Sequence, residues 1–316
     1  FYRDCRNGRD LRRESRLLGL QQGHSTSIAM TTITSRDNKW LKSFRAALRG
    51  RGPDPAGNEP IGIEGPKLVE EALRSGLEVE ALLVSESGER DAGLILDAAS
   101  ESESGIPRSR ILRTTDKLFE SVSGTEAPQG VAALFRQREW GLDDALHGVG
   151  AMRGNSPLVV VLAAIQDPGN VGTILRSAEA FGATGAIATR GTADPWSPKA
   201  LRASAGSTLR LPLLRGMPIP VLLAQFKIAG VKVYAASSAP NGHRGESGAT
   251  ADWRGPAAIF VGNEGAGLPA EITHAADAFI SIPTSETVES LNAGVAASIV
   301  LYEAARQRAR AAEGED

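Results

Sequence analysis

The sequence predicts an α/β protein whose C-terminal part is built on a parallel sheet and is preceded by a smaller α/β domain. Short apolar runs alternate with segments of helical periodicity along most of the chain, as in sheets covered by helices. Residues 158–165 are apolar throughout and rich in Val and Leu, which is typical of a strand buried on both faces. Residues 148–157 are rich in Gly, Asn, Ser and Pro, which predicts a linker between the two domains.

Length and composition limit the classes of protein to consider. At 316 residues the chain is long enough for two domains of ordinary size. The formal net charge of −2 excludes binding of polyanions through bulk charge, so any nucleic-acid contact needs local basic patches. The single cysteine, Cys5, excludes a disulfide framework, and the four histidines lack metal-ligand spacing, so we expect no metal. The longest apolar run is too short to cross a bilayer, and we expect a cytoplasmic protein.

Composition also sets the expected domain boundaries. Residues 1–29 hold six arginines and few apolar positions, and Met30 begins a segment that reads like a natural start. We expect residues 1–29 to be a non-native or disordered extension; the alternative is a basic arm that contacts RNA. Residues 30–147 are predicted to form the smaller α/β domain, 148–157 the linker, and 158–316 the larger domain.

In the smaller domain, apolar and basic residues interleave at helical spacing over residues 35–48, which predicts an amphipathic helix with a basic outer face. Gly- and Pro-rich residues 50–60 end this helix. The elements predicted next are strands at 61–63, 79–84, 110–113 and 130–135, with helices ending at 74, covering 92–100 and beginning at 116. In the larger domain, strands are predicted at 158–165, 185–188, 231–235, 257–261 and 278–282, and helices at 171–181, 218–228 and 291–312.

Three loops follow predicted strands, at the edge where open α/β sheets bind ligands. In the first, residues 166–182, Asn170 can cap the next helix and Arg176 lies six residues further on. In the second, residues 261–269, three glycines surround Glu264 and let the backbone approach a ligand. The third, residues 282–292, enters the C-terminal helix through the cap residues Ser290 and Asn292. Taken singly, each loop is also explained by ordinary caps, a surface arginine or a mobile glycine turn.

Other common catalytic patterns do not occur in this sequence. It contains no Gly-x-x-x-x-Gly-Lys-Ser/Thr loop, no Gly-x-Gly-x-x-Gly after the first strand of the larger domain, no Gly-x-Ser-x-Gly and no His-Glu-x-x-His. The common nucleoside triphosphatases, dinucleotide dehydrogenases, α/β-hydrolases and zinc proteases are therefore disfavoured.

Together the three loops resemble the motifs of the SpoU (TrmH/RlmB-like) family of RNA ribose 2′-O-methyltransferases, in the SPOUT class. Asn170-x-Gly172-x-x-x-Arg176 is similar to the first family motif, Gly262-Asn-Glu264-Gly-x-Gly to the second, and residues 282–303 to the third. Residues 61–67 and 125–131 resemble the family's N-terminal RNA-binding domain.

The third motif departs from the family pattern. Thr284 and Glu286 stand where the family usually has Met and Gly. Glutamate avoids backbone angles that glycine adopts, so the loop path, and with it cofactor contacts and substrate choice, can differ here.

The resemblance implies a C-terminal trefoil knot, S-adenosylmethionine as cofactor, a homodimer, and structured RNA as substrate, with ribosomal RNA favoured over transfer RNA. Its implied catalytic residues are Arg176, Asn170, Glu264, Ser290 and Asn292. Its implied cofactor-binding residues are Ala235, Gly262, Asn263, Ile282 and Leu291. Because a guanidinium stays protonated, we expect Arg176 to bind a phosphate and stabilise the developing alkoxide rather than to act as a base.

Local basic patches are the candidates for RNA contact. One lies on the 35–49 helix, where we select Arg36, Lys39 and Arg45; the other comprises Arg190, Lys199, Arg202 and Arg210. The alternative is that each is an ordinary solvated charged face. Two other functions stay open at this point: a non-catalytic RNA-binding or assembly factor, and a nucleotide-dependent oxidoreductase, which the missing dinucleotide motif disfavours.

Overall fold

The computed structural model describes residues 30–49, 59–100, 106, 108–236, 246–263, 265–285, 287 and 290–314. The predictions made for residues 1–29, Glu264 and Glu286 lie outside this part of the chain. Among the described residues, the strands form two sheets, one of five strands and one of seven.

The five-stranded sheet is formed by residues 31–135 in the order β1-β4-β3-β5-β2. β1, β3 and β4 are parallel, whereas β5 runs antiparallel to β2 and β3. The elements of this part are β1 (Thr31–Thr32), α1 (Lys39–Arg49), β2 (Ile61–Glu64), α2 (Pro66–Arg74), β3 (Val79–Ser85), α3 (Glu89–Ser100), β4 (Ile111–Thr114), α4 (Asp116–Val122) and β5 (Val131–Phe135).

The seven-stranded sheet is parallel throughout, in the order β10-β12-β9-β11-β6-β7-β8, which confirms the predicted fold class. Its elements are α5 (Leu142–His147), β6 (Leu158–Ala163), α6 (Pro168–Ala180), β7 (Gly185–Ala188), α7 (Pro198–Ser204), α8 (Ser207–Arg210), β8 (Leu213–Arg215), α9 (Ile219–Ile228), β9 (Lys232–Ala236), β10 (Glu246–Ser247), β11 (Ala257–Gly262), α10 (Ala270–Ala275), β12 (Ala278–Ser281) and α11 (Ala293–Glu313).

The centre of the larger sheet is apolar on both faces. Every residue of β6 is fully buried, as its continuous run of Leu, Val and Ala predicts. One face packs on α6 and α11 and the other on α9 and α10, so helices cover the sheet on both sides.

Helix α6 begins three residues earlier than predicted, and the prediction that Asn170 caps it was wrong. Asp167 is the cap: its side chain accepts a hydrogen bond of 3.3 Å from the backbone N–H of Asn170. Pro168 occupies the first turn, where its fixed φ is suitable and no N–H donor is needed. Asn170 therefore lies inside the first turn, and its side chain is available for contacts with other loops.

Candidate functional site

Four neighbouring strands of the larger sheet end together. The register pairs Ala236 of β9 with Val261 of β11 and with Ile280 of β12, and Gly262 of β11 with Ala163 of β6. Since adjacent strands lie about 4.8 Å apart, the loops that leave β12, β11 and β6 start within about 15 Å of one another. We call this edge, formed by the ends of β12, β9, β11 and β6, the carboxyl rim. It brings together the three loops that the sequence singled out.

Asn263 joins the second loop to the end of β6, from which the first loop leaves. Its Nδ2 donates a hydrogen bond of 3.2 Å to the carbonyl oxygen of Ala164, the residue after β6. Its Oδ1 accepts hydrogen bonds from the backbone N–H groups of Gly265 (2.8 Å) and Ala266 (2.9 Å). Ala164 has a φ of 56°, an unfavourable value for a residue with a Cβ, so its carbonyl is held in a constrained position. The Asn263 side chain thus shapes the rim, and its carbonyl oxygen accepts a hydrogen bond of 2.9 Å from the backbone N–H of Gly267.

Gly262 is required by the fold of the second loop itself. A Cβ at this position would lie 2.7 Å from the carbonyl carbon of Gly267 and 2.9 Å from the backbone nitrogen of Leu268. The loop turns back onto its own beginning, and only glycine leaves room for this approach.

Asn292 ties the third loop to the first and also begins helix α11. Its Oδ1 accepts hydrogen bonds from the backbone N–H groups of Gly294 (2.9 Å) and Val295 (3.2 Å), which confirms it as the cap. Its Nδ2 donates a hydrogen bond of 2.9 Å to Oδ1 of Asn170. One side chain therefore joins the N-termini of α6 and α11 at the carboxyl rim, and two residues predicted to be catalytic are in direct contact.

Arg176 lies on α6 about 9 Å along the helix axis from Asn170. Its side chain is exposed and makes no hydrogen bond or ion pair with any residue that the structure describes. Its guanidinium is therefore available to a ligand.

The other two predicted catalytic residues are not part of this contact. Ser290 is exposed and precedes the α11 cap by two residues, so the prediction that it is a cap residue was wrong. Asn292 is the cap, because its Oδ1 accepts hydrogen bonds from backbone N–H groups in the first turn of the helix. Glu264 lies outside the described residues.

The residues predicted to bind the cofactor differ in exposure. Ala235 is fully buried in β9, so its methyl group belongs to the core. Ile282 and Leu291 are half-buried at the two ends of the third loop, and residues 283–285 between them are exposed. Half-buried apolar side chains at the same rim as a glycine-rich loop are compatible with an adenosyl group, which has apolar faces and hydrogen-bonding edges.

The basic residues predicted to bind RNA lie on two surfaces. Arg36 and Lys39 are exposed at the start of α1, and the Lys39 Nζ lies 5.7 Å from the ring centroid of Trp40. Arg45 is half-buried, with its Nε 3.4 Å from the carbonyl oxygen of Ser121. Their role in RNA binding stays a prediction.

On the second surface, Lys199 and Arg202 of α7 are both exposed but differ in their contacts. The Nζ of Lys199 lies 2.6 Å from Oδ1 of Asp167, and this hydrogen bond lowers the pKa of the Asp167 carboxyl. Arg202 makes no hydrogen bond or ion pair within the described residues.

Arg210, expected as a fourth cation of this patch, is not available to RNA. Its Nε and Nη2 donate hydrogen bonds of 2.6 and 2.8 Å to the two carboxylate oxygens of Glu179, and its Nη1 donates one of 2.6 Å to Glu71 of α2. A partly buried guanidinium is stable only with such partners. Sequence reasoning missed this triad because its members are far apart in the chain. It also missed Asp167, although Asp followed by Pro is a recognisable helix start.

The described residues show neither a metal site nor a membrane-spanning helix. In the part of the chain that the structure describes, no three His, Cys, Asp or Glu side chains converge as a metal site. Nor does any helix within the described ranges combine the length and apolar character needed to cross a membrane.

Comparison with known proteins identifies the family. Residues 157–302 match the SpoU rRNA Methylase family, and residues 58–133 match the MRM3-like substrate binding domain. The chain is 33% identical over 240 residues to the 23S rRNA (guanosine(2553)-2′-O)-methyltransferase RlmP of Bacillus subtilis, an alignment that covers 76% of this chain and 86% of RlmP. The chain belongs to the SpoU family.

Solved structures of SpoU proteins superpose on nearly the whole chain. The AdoMet-bound rRNA methyltransferase from Sinorhizobium meliloti is 31% identical, with a TM-score of 0.71, and the alignment covers 88% of this chain and 98% of that one. The SpoU methyltransferase AviRb from Streptomyces viridochromogenes, in complex with the cofactor AdoMet, is 29% identical, with a TM-score of 0.69 and coverage of 86% and 98%. The SpoU resemblance recognised in the three loops is thereby confirmed.

Proposed function

We propose that this protein transfers the methyl group of S-adenosylmethionine to a ribose 2′-hydroxyl of ribosomal RNA. The observation that carries the proposal is the carboxyl rim. There Asn292 joins the third motif to the first, Asn263 joins the second motif to the residue after β6, and Arg176 has no partner among the described residues. Ribosomal RNA is favoured over transfer RNA because the similar proteins from Bacillus subtilis and Sinorhizobium meliloti are named as rRNA methyltransferases.

The cofactor would be held by the residues at the rim. Gly262 and Asn263 are half-buried there, and the half-buried side chains of Ile282 and Leu291 provide apolar surface. Ala235 can contribute only through its backbone, because its side chain is buried. When bound, S-adenosylmethionine supplies a methyl group on a positively charged sulfur. The rim's contribution is to fix that group in line with the attacking oxygen, which removes much of the entropic cost of the reaction.

Arg176 would act on the RNA side of the reaction. Guanidinium groups are poor bases, so the role proposed for Arg176 is to bind a phosphate beside the target ribose and to stabilise negative charge on the 2′-oxygen. The N-termini of α6 and α11, joined by Asn170 and Asn292, place two positive helix ends at the same rim. Asn170, Ser290, Asn292 and Glu264 are proposed to orient Arg176 and the ribose.

The remaining predictions about organisation become part of the proposal. We take residues 30–147 as the RNA-binding domain, 148–157 as the linker and 158–316 as the methyltransferase domain, and we propose a cytoplasmic location with the ribosomal RNA. The family matches at 58–133 and 157–302 support this division. A trefoil knot in the C-terminal part is compatible with the strand order, in which β9 separates β11 from β12.

A homodimer is supported by an apolar stripe on α11. Val295, Ile299 and Tyr302 follow the i, i+4, i+7 pattern of one helix face, yet 48%, 42% and 56% of their surfaces are exposed. The stripe begins three residues after Asn292, so a second copy packed on it would lie beside the carboxyl rim. Exposed apolar faces of this kind mark association sites. We expect light scattering to give twice the chain mass for the wild type and a monomer for Ile299→Glu; a wild-type monomer would contradict the dimer.

The proposed function is tested by incubating the purified protein with methyl-labelled S-adenosylmethionine and either ribosomal or transfer RNA. The label is expected in ribosomal RNA, and digestion to nucleosides should place it on the ribose. Label on a base would contradict the reaction, and label in transfer RNA alone would contradict the substrate. Cofactor binding without transfer to any RNA would indicate the non-catalytic assembly factor instead.

A further inference from the structure

A cleft of about 780 Å³ separates the two parts of the molecule. One wall carries Gly65, Lys67 and Gln129 of the five-stranded part, and the other carries Arg202, Ala205 and Arg210 of α7, α8 and the turn between them. We call it the α2–α7 cleft. Its volume lies within the range of about 300–1,000 Å³ that is common for ligand sites, and it is too small for a nucleic-acid duplex.

The Arg210 triad holds the two walls of the cleft together. Arg210 is bonded to Glu71 on α2 and to both carboxylate oxygens of Glu179 on α6. All three side chains are less than 40% exposed, so these charges are better shielded from solvent than an ordinary surface pair. The walls are therefore fixed relative to each other, and the charge of Arg210 is neutralised within the protein.

The carboxylates that line the cleft have partners. Glu64 accepts hydrogen bonds from the hydroxyl groups of Ser123 (2.6 Å) and Thr125 (2.7 Å), and from a backbone N–H. Glu70 is paired with Arg74 at 2.6 Å.

Three other polar side chains on the walls have no such partners among the described residues. Lys67, Gln129 and Arg202 are exposed to the cleft and make no hydrogen bond or ion pair within the described ranges. Two exposed cations without a partner among the described residues thus face the cleft from opposite walls. Of the acids, Glu70 and Glu71 are paired with arginines, whereas Glu64 keeps its charge because its donors are neutral. The two cations are suited to contact the phosphates of a polyanionic strand.

The cleft adjoins the helix that carries Arg176. A Cβ on Gly172 would lie 2.4 Å from the carbonyl oxygen of Ala200 and 2.5 Å from the Cβ of Ala203, so α6 and α7 are in backbone contact there. Arg202 lies between those two residues of α7 along the chain, and Arg176 follows Gly172 by about one turn of α6. The cleft therefore lies beside α6, the helix that carries Arg176.

We propose that the α2–α7 cleft binds the single-stranded RNA segment that flanks the methylated nucleotide. Lys67 and Arg202 contact its phosphates from opposite walls, and Gln129 contacts a base edge or a ribose hydroxyl. This inference rests on the proposed function, because it supplies the binding site of that reaction's RNA.

The test measures RNA affinity as a function of salt concentration. Lys67→Ala and Arg202→Ala each remove one cation from the cleft, and Lys227→Ala, on the exposed surface of α9, removes one elsewhere. Both cleft variants should weaken binding of the substrate RNA several-fold and should reduce the slope of log Kd against log salt by about 0.7 for each lost phosphate contact to a single strand. Gln129→Ala should weaken binding without changing the slope, and Lys227→Ala should change neither.

The outcomes separate this inference from the proposed function. Cofactor affinity and melting temperature should stay at the wild-type values in the cleft variants, because neither cation has a partner among the described residues. If Lys67→Ala and Arg202→Ala bind RNA like Lys227→Ala while the wild type methylates ribose, the cleft assignment is wrong and the function stands. If the wild type methylates no RNA, the function itself is contradicted.

Discussion

Arg176 lies on helix α6 and Arg210 contacts the next turn of the same helix, but the first is exposed and the second is paired. The Arg176 guanidinium is exposed and contacts no described polar group, whereas Arg210 donates to three carboxylate oxygens from two different helices. A paired guanidinium joins the two parts of the chain, whereas the guanidinium on α6 has no partner among the residues that the structure describes. Pairing thus distinguishes an arginine that holds structure from one that is free to bind a substrate.

The largest effect should come from removing the exposed guanidinium of Arg176. Arg176→Ala should lower the rate of methyl transfer by about 10²–10³-fold, the usual cost of losing a group that stabilises a developing oxyanion. Cofactor binding, measured by calorimetry, should be retained because Arg176 is placed on the RNA side. Lys227→Ala is the control for loss of one surface charge. Transfer at close to the wild-type rate in Arg176→Ala would remove the residue from its proposed role.

The contact between α6 and α7 is tested by a single methyl group. Gly172→Ala would place its Cβ within 2.8 Å of the backbone nitrogen of Ser204, as well as against Ala200, so the helices must move apart. We expect a loss of about 1–3 kcal/mol in the free energy of unfolding, measured by denaturant titration. Gly93→Ala is the matched control, because a Cβ there meets nothing within 4 Å and should stabilise α3 by about 0.5–1 kcal/mol. Equal effects of the two substitutions would contradict the close contact.

The two hydrogen-bonding roles of Asn292 can be separated. Asn292→Ala should lose the α11 cap, at a cost of about 1 kcal/mol in stability, together with the bond to Asn170. Asn292→Asp keeps the cap acceptor, but its carboxylate has no donor for Asn170. The aspartate variant should therefore melt above Asn292→Ala, because it keeps the cap, and it should transfer methyl groups about tenfold more slowly than the wild type, the equivalent of one lost hydrogen bond. Wild-type activity in that variant would show that the Asn170 contact does not serve the reaction.

The smallest effect concerns the paired arginine. Burial alone would raise the pKa of Glu179, but hydrogen bonds from Arg210 and Ser207 outweigh it and lower the pKa below its ordinary value of 4.5. A carboxyl with a lowered pKa stabilises the fold at neutral pH, and this contribution is lost as the pH falls through the folded-state pKa. Glu179→Gln should therefore melt a few degrees lower than the wild type at pH 7, a difference that shrinks in acid. Glu139→Gln, at an exposed carboxylate with no partner in the described ranges, should melt at the wild-type temperature. If the lower melting temperature of Glu179→Gln persists unchanged in acid, the pairing is contradicted.

Much of the fold follows from local patterns in the sequence. The buried run at 158–163 and the alternation of strands and helices predicted the parallel sheet, and the three loops were correctly placed at strand ends. Elements of three to seven residues, such as α5, α7, α8, β8 and α10, were missed because they are shorter than the window in which periodicity is detectable. Their positions are set by tertiary packing.

The candidate site, like the fold, was predictable from the sequence only in part. Residue types and spacing selected Arg176, Asn170 and Asn292, but only the three-dimensional structure shows that the two asparagines are bonded and that Arg210 is neutralised. Glu71 and Arg210 are 139 positions apart, and nothing local to either residue indicates the other. The α2–α7 cleft was not predictable for the same reason, since its walls come from separate parts of the chain.

The carboxyl rim is proposed to place a cofactor and an RNA ribose beside Arg176. This arrangement can be tested in cells by mapping 2′-O-methyl groups in ribosomal RNA from a strain that lacks the gene and from the same strain complemented with either the wild type or Arg176→Ala. One ribose methylation should disappear with the gene, return with the wild type and stay absent with the variant. An unchanged methylation map, or full restoration by Arg176→Ala, would contradict it.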